Sequence, residues 1–143
     1  MTRNDVVAFL RRHALAVEAS VRADGAPQAA VIGFIVSDEL ELFFDTLSTS
    51  RKYQNLMRDP RIALVVGWDD ERTVQLEGVV DEPSGTTLRA LQELYFARFP
   101  DGPERQKLDE IRYLRVRPTW IRYSDFSVPF PDIVQIDLRD EPR

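Results

Sequence analysis

The links between successive strand-length runs are short, and that constrains this chain more than any other feature. Residues 14–22 alternate like a strand, Ala23-Asp24-Gly25-Ala26-Pro27 turns the chain, and residues 28–36 follow as a nearly continuous apolar run. Ser37-Asp38-Glu39 turns it again into a third strand over residues 40–45. Residues 61–68 and 73–81 predict a hairpin across Asp69-Asp70-Glu71-Arg72. Antiparallel neighbours close over a tight turn, whereas parallel ones need a crossover of roughly a dozen residues or more. A doubly wound parallel sheet is therefore excluded for the first strands. The apolar run at 28–36 predicts a strand buried on both faces.

Helices fill the longer gaps. Residues 2–12 predict one, capped by Thr2 or Asn4, with Val6, Phe9 and Leu10 on one side. Residues 48–58 predict a second, ended by Asp59-Pro60 because proline disfavours helix in the residue before it. A third is expected over residues 86–99, with Leu88, Leu91 and Tyr95 on one stripe and Pro100-Asp101-Gly102-Pro103 stopping it. Residues 104–109 are polar and predict no element. Residues 111–116, 119–123 and 133–138 read as further strands. Six or seven strands and three helices predict a mainly β chain, an antiparallel barrel or strongly curled sheet with peripheral helices. With no internal repeat and no Gly/Ser linker, residues 1–143 are expected to form a single domain.

Composition removes several chemistries. No cysteine means no disulfide, thiolate zinc site, iron–sulfur cluster or thiol nucleophile. The lone His13 leaves no two-imidazole metal site within the chain, and no other metal-ligand pattern stands out. His13 follows Arg11 and Arg12 near a helix end, where a cation is favoured; the alternative is an axial haem ligand. A net charge of −5 and a pI of about 4.9 have the wrong sign for gripping a phosphate backbone, so no nucleic-acid partner is expected. No run reaches the ~18–20 apolar residues of a membrane span. Asn4, Asp5, Arg11 and Arg12 interrupt any secretory-type stretch, so a cytoplasmic location is expected.

The chemistry concentrates where the third strand gives way to the second helix. Residues 46–58 carry Arg51, Lys52 and Arg58 and no acid, a local charge of +3 in a chain of −5. Two of those cations fall in the first helical turn, where the helix dipole favours acids. An anion resolves the conflict, because helix-terminal N–H groups, the hydroxyls of Ser48, Thr49 and Ser50, and both cations can converge on it. A phosphate monoester is the natural ligand. The plain alternative is a solvated helix start whose Arg and Lys point into water.

The flanks of this segment carry a resemblance. Ala30-Val31-Ile32-Gly33, Phe43-Phe44-Asp45-Thr46, Ser50-Arg51-Lys52, Asp59-Pro60-Arg61, and Trp68 with residues 71–78 together resemble the pyridoxamine 5′-phosphate oxidase-like, FMN-binding split-barrel superfamily. The resemblance covers about half the chain. It implies a six-stranded antiparallel split β-barrel and a homodimer with two flavin sites at the subunit interface. It also implies that Ser50, Arg51 and Lys52 hold the FMN phosphate and that Asp45 and Thr46 line the phosphate–ribityl region. Backbone groups of Ala30, Val31, Ile32 and Gly33 would run along the isoalloxazine ring, with Thr73 and Gln75 reaching in from the partner subunit.

There are departures. The true oxidases carry an Arg and a Lys where this chain has Ala30 and Ile35. Tyr95-Phe96-Ala97-Arg98-Phe99-Pro100 echoes a substrate-binding segment, but its Arg falls one residue early. The C-terminal Arg-x-His motif is absent, since His13 is the sole histidine. Vitamin B6 oxidation is therefore not expected. The expected function is an FMN-dependent oxidoreductase moving a hydride to or from a small organic substrate, with a nicotinamide as electron donor and no catalytic side chain. The alternatives are a reductase of the same fold using a deazaflavin coenzyme, and a non-catalytic module that sequesters or senses a flavin.

Overall fold

The computed structural model describes residues 1–140 of the chain. Its first helix, α1 (Arg3–Arg11), starts from a capping box: Thr2 accepts from the Asp5 N–H, and the Asp5 carboxylate accepts from the Thr2 N–H at 2.7 Å. Val6, Phe9 and Leu10 of α1 are buried, as their spacing predicts. Strands β1 (Leu15–Val21) and β2 (Pro27–Gly33) pair antiparallel around the turn at Gly25, whose positive φ of 86° suits glycine. The chain breaks at Phe34 before the two-residue β3 (Ile35–Val36), then returns as β4 (Leu42–Leu47). Helix α2 (Arg51–Arg58) leads into β5 (Arg61–Val66) and β6 (Arg72–Asp81), the expected hairpin. Helices α3 (Gly85–Arg98) and the short α4 (Gly102–Arg105) precede β7 (Ile111–Asp125) and β8 (Asp132–Asp137).

The strands form one antiparallel sheet in the order β2-β1-β5-β6-β7-β4-β3, with β8 added to β7. It is curled, as expected, around a core that includes Ile32, Phe44, Leu64, Leu76, Leu114 and Ile121. The strand count is eight rather than six. Two departures change the outline and offset each other in number, one run being split and two others merged. The run at 28–36 is split, and β2 is a half-exposed edge strand rather than one buried on both faces; Val31 is 60% exposed. The two strands expected at 111–116 and 119–123 are one strand, β7, which runs through Pro118. Proline has no N–H for a ladder, and the register shifts opposite it, between Glu77 and Gly78. Gly78 is needed there, since a Cβ would sit 2.7 Å from the Arg117 carbonyl oxygen. The turn of helix α4 was not expected from the sequence. Among the described residues no helix is long and apolar enough to cross a membrane.

Candidate functional site

Helix α2 sets the geometry. Ser50 is its N-cap: the side-chain oxygen accepts from the Tyr53 N–H at 3.1 Å and lies 2.9 Å from the Thr46 hydroxyl. Helix α2 has no acid in its first turn, and Arg51 and Lys52 stand there instead. Its inward face is fastened to the β1–β2 hairpin by Asn55, which is buried and donates to Ser20 Oγ (3.2 Å) and Gln28 Oε1 (2.8 Å). Arg58 in turn donates to Asn55 Oδ1 at 3.2 Å. The position of α2 over the sheet is therefore set by hydrogen bonds from a side-chain amide as well as by apolar packing.

Two hollows flank Lys52. The first, about 360 Å³, is lined by Val31, Ile32 and Gly33 of β2, Asp45, Thr46 and Leu47 of β4, and Thr49, Ser50 and Lys52 at the start of α2. The second, about 270 Å³, lies between α2 and the hairpin and is lined by Glu18, Ser20, Gln28, Ala29, Ala30, Arg51 and Lys52. Nine of the eleven residues singled out from the sequence thus lie in these two hollows. The Ser50-Arg51-Lys52 run is divided between them: Ser50 lines the first, Arg51 the second, and Lys52 both. Thr73 and Gln75 are not brought to either. They lie on the outward face of β6, where the Thr73 hydroxyl donates to the Val66 carbonyl at 3.4 Å and Gln75 borders a shallow depression with Val17, Val65 and Trp120.

Electrostatics favour an anion in the first hollow. Its one carboxylate, Asp45, is already engaged: Arg105 donates to Oδ2 at 2.8 Å and the Tyr95 hydroxyl to Oδ1 at 3.1 Å. Burial, with the Asp45 charge adding to it, pushes the Tyr95 phenol well above its usual range, so it stays a donor. Ligand-facing charge is thus left to Lys52. β2 is the end strand of the sheet, so its outer backbone groups meet no further strand. A planar polar ligand could bond along that edge, as peptide strands do.

Sequence reasoning missed Glu18. It sits in β1 opposite Ala30 and Leu64, is 1% exposed, and its Oε2 has no hydrogen-bond partner. Burial pushes its carboxyl up to about 7, against the pull of Lys52. The signal in the sequence was a charged residue inside a strand of otherwise apolar and small residues. Arg98, by contrast, lies in a separate groove of about 550 Å³ between α1 and α3, and it donates to the Arg11 carbonyl at 2.9 Å. The other polar groups there are also engaged, Arg11 by Asp38 and His13 by the Phe9 carbonyl.

The sequence model described as "Pyridoxamine 5′-phosphate oxidase" matches residues 3–125. A pyridoxine/pyridoxamine 5′-phosphate oxidase of Bordetella avium is 38% identical over 85 residues, 59% of this chain and 39% of that protein. The chain thus matches about two fifths of that relative's length. In structure, a pyridoxamine 5′-phosphate oxidase-related, FMN binding protein of Nostoc punctiforme superposes with a TM-score of 0.74 at 13% identity, covering 97% of this chain and 92% of that one. A heme binding protein of Mycobacterium smegmatis superposes with a TM-score of 0.77 at 15% identity, covering 94% of this chain and 58% of that one. At such identities these likenesses concern the fold.

Proposed function

The chain belongs to the pyridoxamine 5′-phosphate oxidase family, and on that basis we propose that it is a homodimeric FMN-binding oxidoreductase acting on a small organic substrate. The observation that carries the reading is the convergence of Thr46, Ser50 and Lys52 with the free edge of β2 in one hollow. The donor set fits the group. Hydroxyls and an ammonium suit a phosphate at the α2 end, and Val31, Ile32 and backbone polar groups suit a flat heteroaromatic ring along β2. Lys52 would hold the phosphate as a point charge, and Arg51 offers a planar fork to two oxygens. The Asp45–Arg105 pair keeps a bare carboxylate from facing that phosphate. When bound, FMN supplies the hydride chemistry, and the chain's task is to anchor, orient and shield it.

The outward face of the sheet supports a dimer. Val17 and Ala19 of β1, Val31 of β2, Ala63 and Val65 of β5, and Trp120 of β7 are in register on it, with Gln75 among them. Apolar on the β1, β2 and β5 side and bearing Glu77 and Arg122 on the β6 and β7 side, this face suits an interaction surface. Val31 belongs both to that face and to the first hollow, so a second copy seated there would border the cofactor. Vitamin B6 itself is not the proposed substrate. Ala30 and Ile35 offer no cation, Arg98 is bonded to the Arg11 carbonyl in a separate groove, and the Tyr95 hydroxyl is committed to Asp45.

The test is a pair of titrations, FMN against riboflavin, on the wild-type chain and on the Arg51→Ala/Lys52→Ala variant. Charge-assisted contacts are worth ~1.5–3 kcal/mol, so FMN affinity is expected to fall roughly 10–100-fold per residue while riboflavin affinity barely moves. Equal loss for both ligands would mean the cations only support the fold.

A further inference from the structure

The cleft beside Lys52 holds a group that the proposed function leaves unused. Glu18 projects into it from β1, shielded from water by α2 and the hairpin, with one carboxyl oxygen unpartnered. A buried polar atom without a bond costs free energy that the fold ordinarily avoids. Among the described residues nothing donates to that oxygen: Asn55 is committed to Ser20 and Gln28, Ser20, Arg51 and Lys52 line the cleft without bonding to it, and Ala29 and Ala30 bring no polar side chain. Ala30, directly opposite Glu18 in the ladder, leaves the space open.

Position limits what could fill it. The cleft shares Lys52 with the hollow that holds the anion, so whatever donates to Glu18 sits next to a bound phosphate. Charge limits it further. Arg51 and Lys52 line the same cleft, so an ammonium or guanidinium would be repelled, while a neutral hydroxyl would not. We infer that the Glu18 cleft is a subsite for the hydroxyls of a phosphorylated polyol, Glu18 accepting a hydrogen bond from a hydroxyl a few bonds from the phosphate on Lys52. Glu18 is then the specificity-determining residue for a hydroxylated chain over a plain alkyl one. Its raised pKa is consistent with this, because near neutrality the group carries only part of the charge that would oppose a phosphate.

This deepens the FMN reading and rests on it for the identity of the ring, but not for the polyol phosphate. The experiment therefore uses four probes on the wild-type chain and on Glu18→Val, a substitution suited to a strand and free of polar atoms. Thermal melts first establish that both fold. The flavin pair is FMN and an isoalloxazine bearing a plain pentyl phosphate, read by flavin fluorescence. The second pair is ribitol 5-phosphate and inorganic phosphate, read by amide shifts in β1 and α2. The wild-type chain is expected to prefer the hydroxylated member of each pair by about ten-fold or more, the scale of one hydrogen bond to a carboxylate. Glu18→Val is expected to abolish both preferences without weakening the pentyl phosphate flavin. If FMN binds with the same preference in both chains, the subsite is overturned and the flavin reading stands. If no flavin binds but ribitol 5-phosphate outcompetes phosphate only when Glu18 is present, the flavin reading fails and the subsite stands. Ribitol 5-phosphate binding no better than phosphate, with FMN no better than its alkyl analogue, overturns the subsite outright.

Discussion

At Glu18 the strand carries a carboxyl where its neighbours on the same face, Ala16 and Ser20, are small and uncharged. The elements packed against it bring Arg51 and Lys52 from α2, while its ladder partners Ala30 and Leu64 bring no charge. Unfolding returns the carboxyl from about 7 to its ordinary 4.5. Between those values the folded chain holds the proton and the unfolded chain does not, so stability falls as pH rises through that window and is level above it. The contribution is up to about 3 kcal/mol. Urea unfolding near pH 5 and near pH 8 should show this loss in the wild-type chain and a flatter profile in Glu18→Gln; parallel profiles would place the pH dependence elsewhere. Asp45 gives a second residue-level prediction. Arg105→Ala should uncover its carboxylate beside the phosphate hollow and weaken FMN roughly ten-fold. Adding Asp45→Asn should restore binding. A double variant as weak as the single one would mean that Arg105 acts through the fold.

Among the elements, those with a strong period or a clear stop were legible in the sequence. Val6, Phe9 and Leu10 place α1, Asp59-Pro60 ends α2, and the Asp69–Arg72 turn joins β5 to β6. What was not legible depends on partners far away in the chain. Pro118 reads as a break because a proline removes a ladder donor, and only the shift at Gly78 on the neighbouring strand lets β7 continue through it. Gly78→Ala is expected to cost roughly 1–3 kcal/mol, since the added Cβ meets fixed backbone. A thermal melt checks this, and an unchanged midpoint would mean the bulge has room to relax. The same limit applied to the site. The Ser50-Arg51-Lys52 run pointed to a candidate anion site by breaking the dipole preference. Its division between two hollows, with Glu18 in one, follows from the way Asn55 fastens α2 to the hairpin.

At the scale of the molecule, the alternation in β1 is the instructive case. Leu15, Val17, Ala19 and Val21 form its apolar set, yet Ala16, Glu18 and Ser20 face inward and are the buried ones. A lone chain leaves that outward set only half-buried, and a second copy seated on it would complete the burial. Val65→Lys, on a strand position already open to water in one chain, should leave the fold intact and convert a dimer to a monomer in light scattering. FMN affinity should fall with it, since Gln75 and Thr73 share that face. A wild-type monomer would overturn the dimer. Parallel titration of the wild-type chain with FMN and riboflavin tests whether the hollow between β2, β4 and α2 binds a flavin through its phosphate. Saturable binding of one FMN per chain is expected, at least about ten-fold tighter than riboflavin, the scale of one charge-assisted contact. FMN binding no better than riboflavin, or binding of neither, would contradict it.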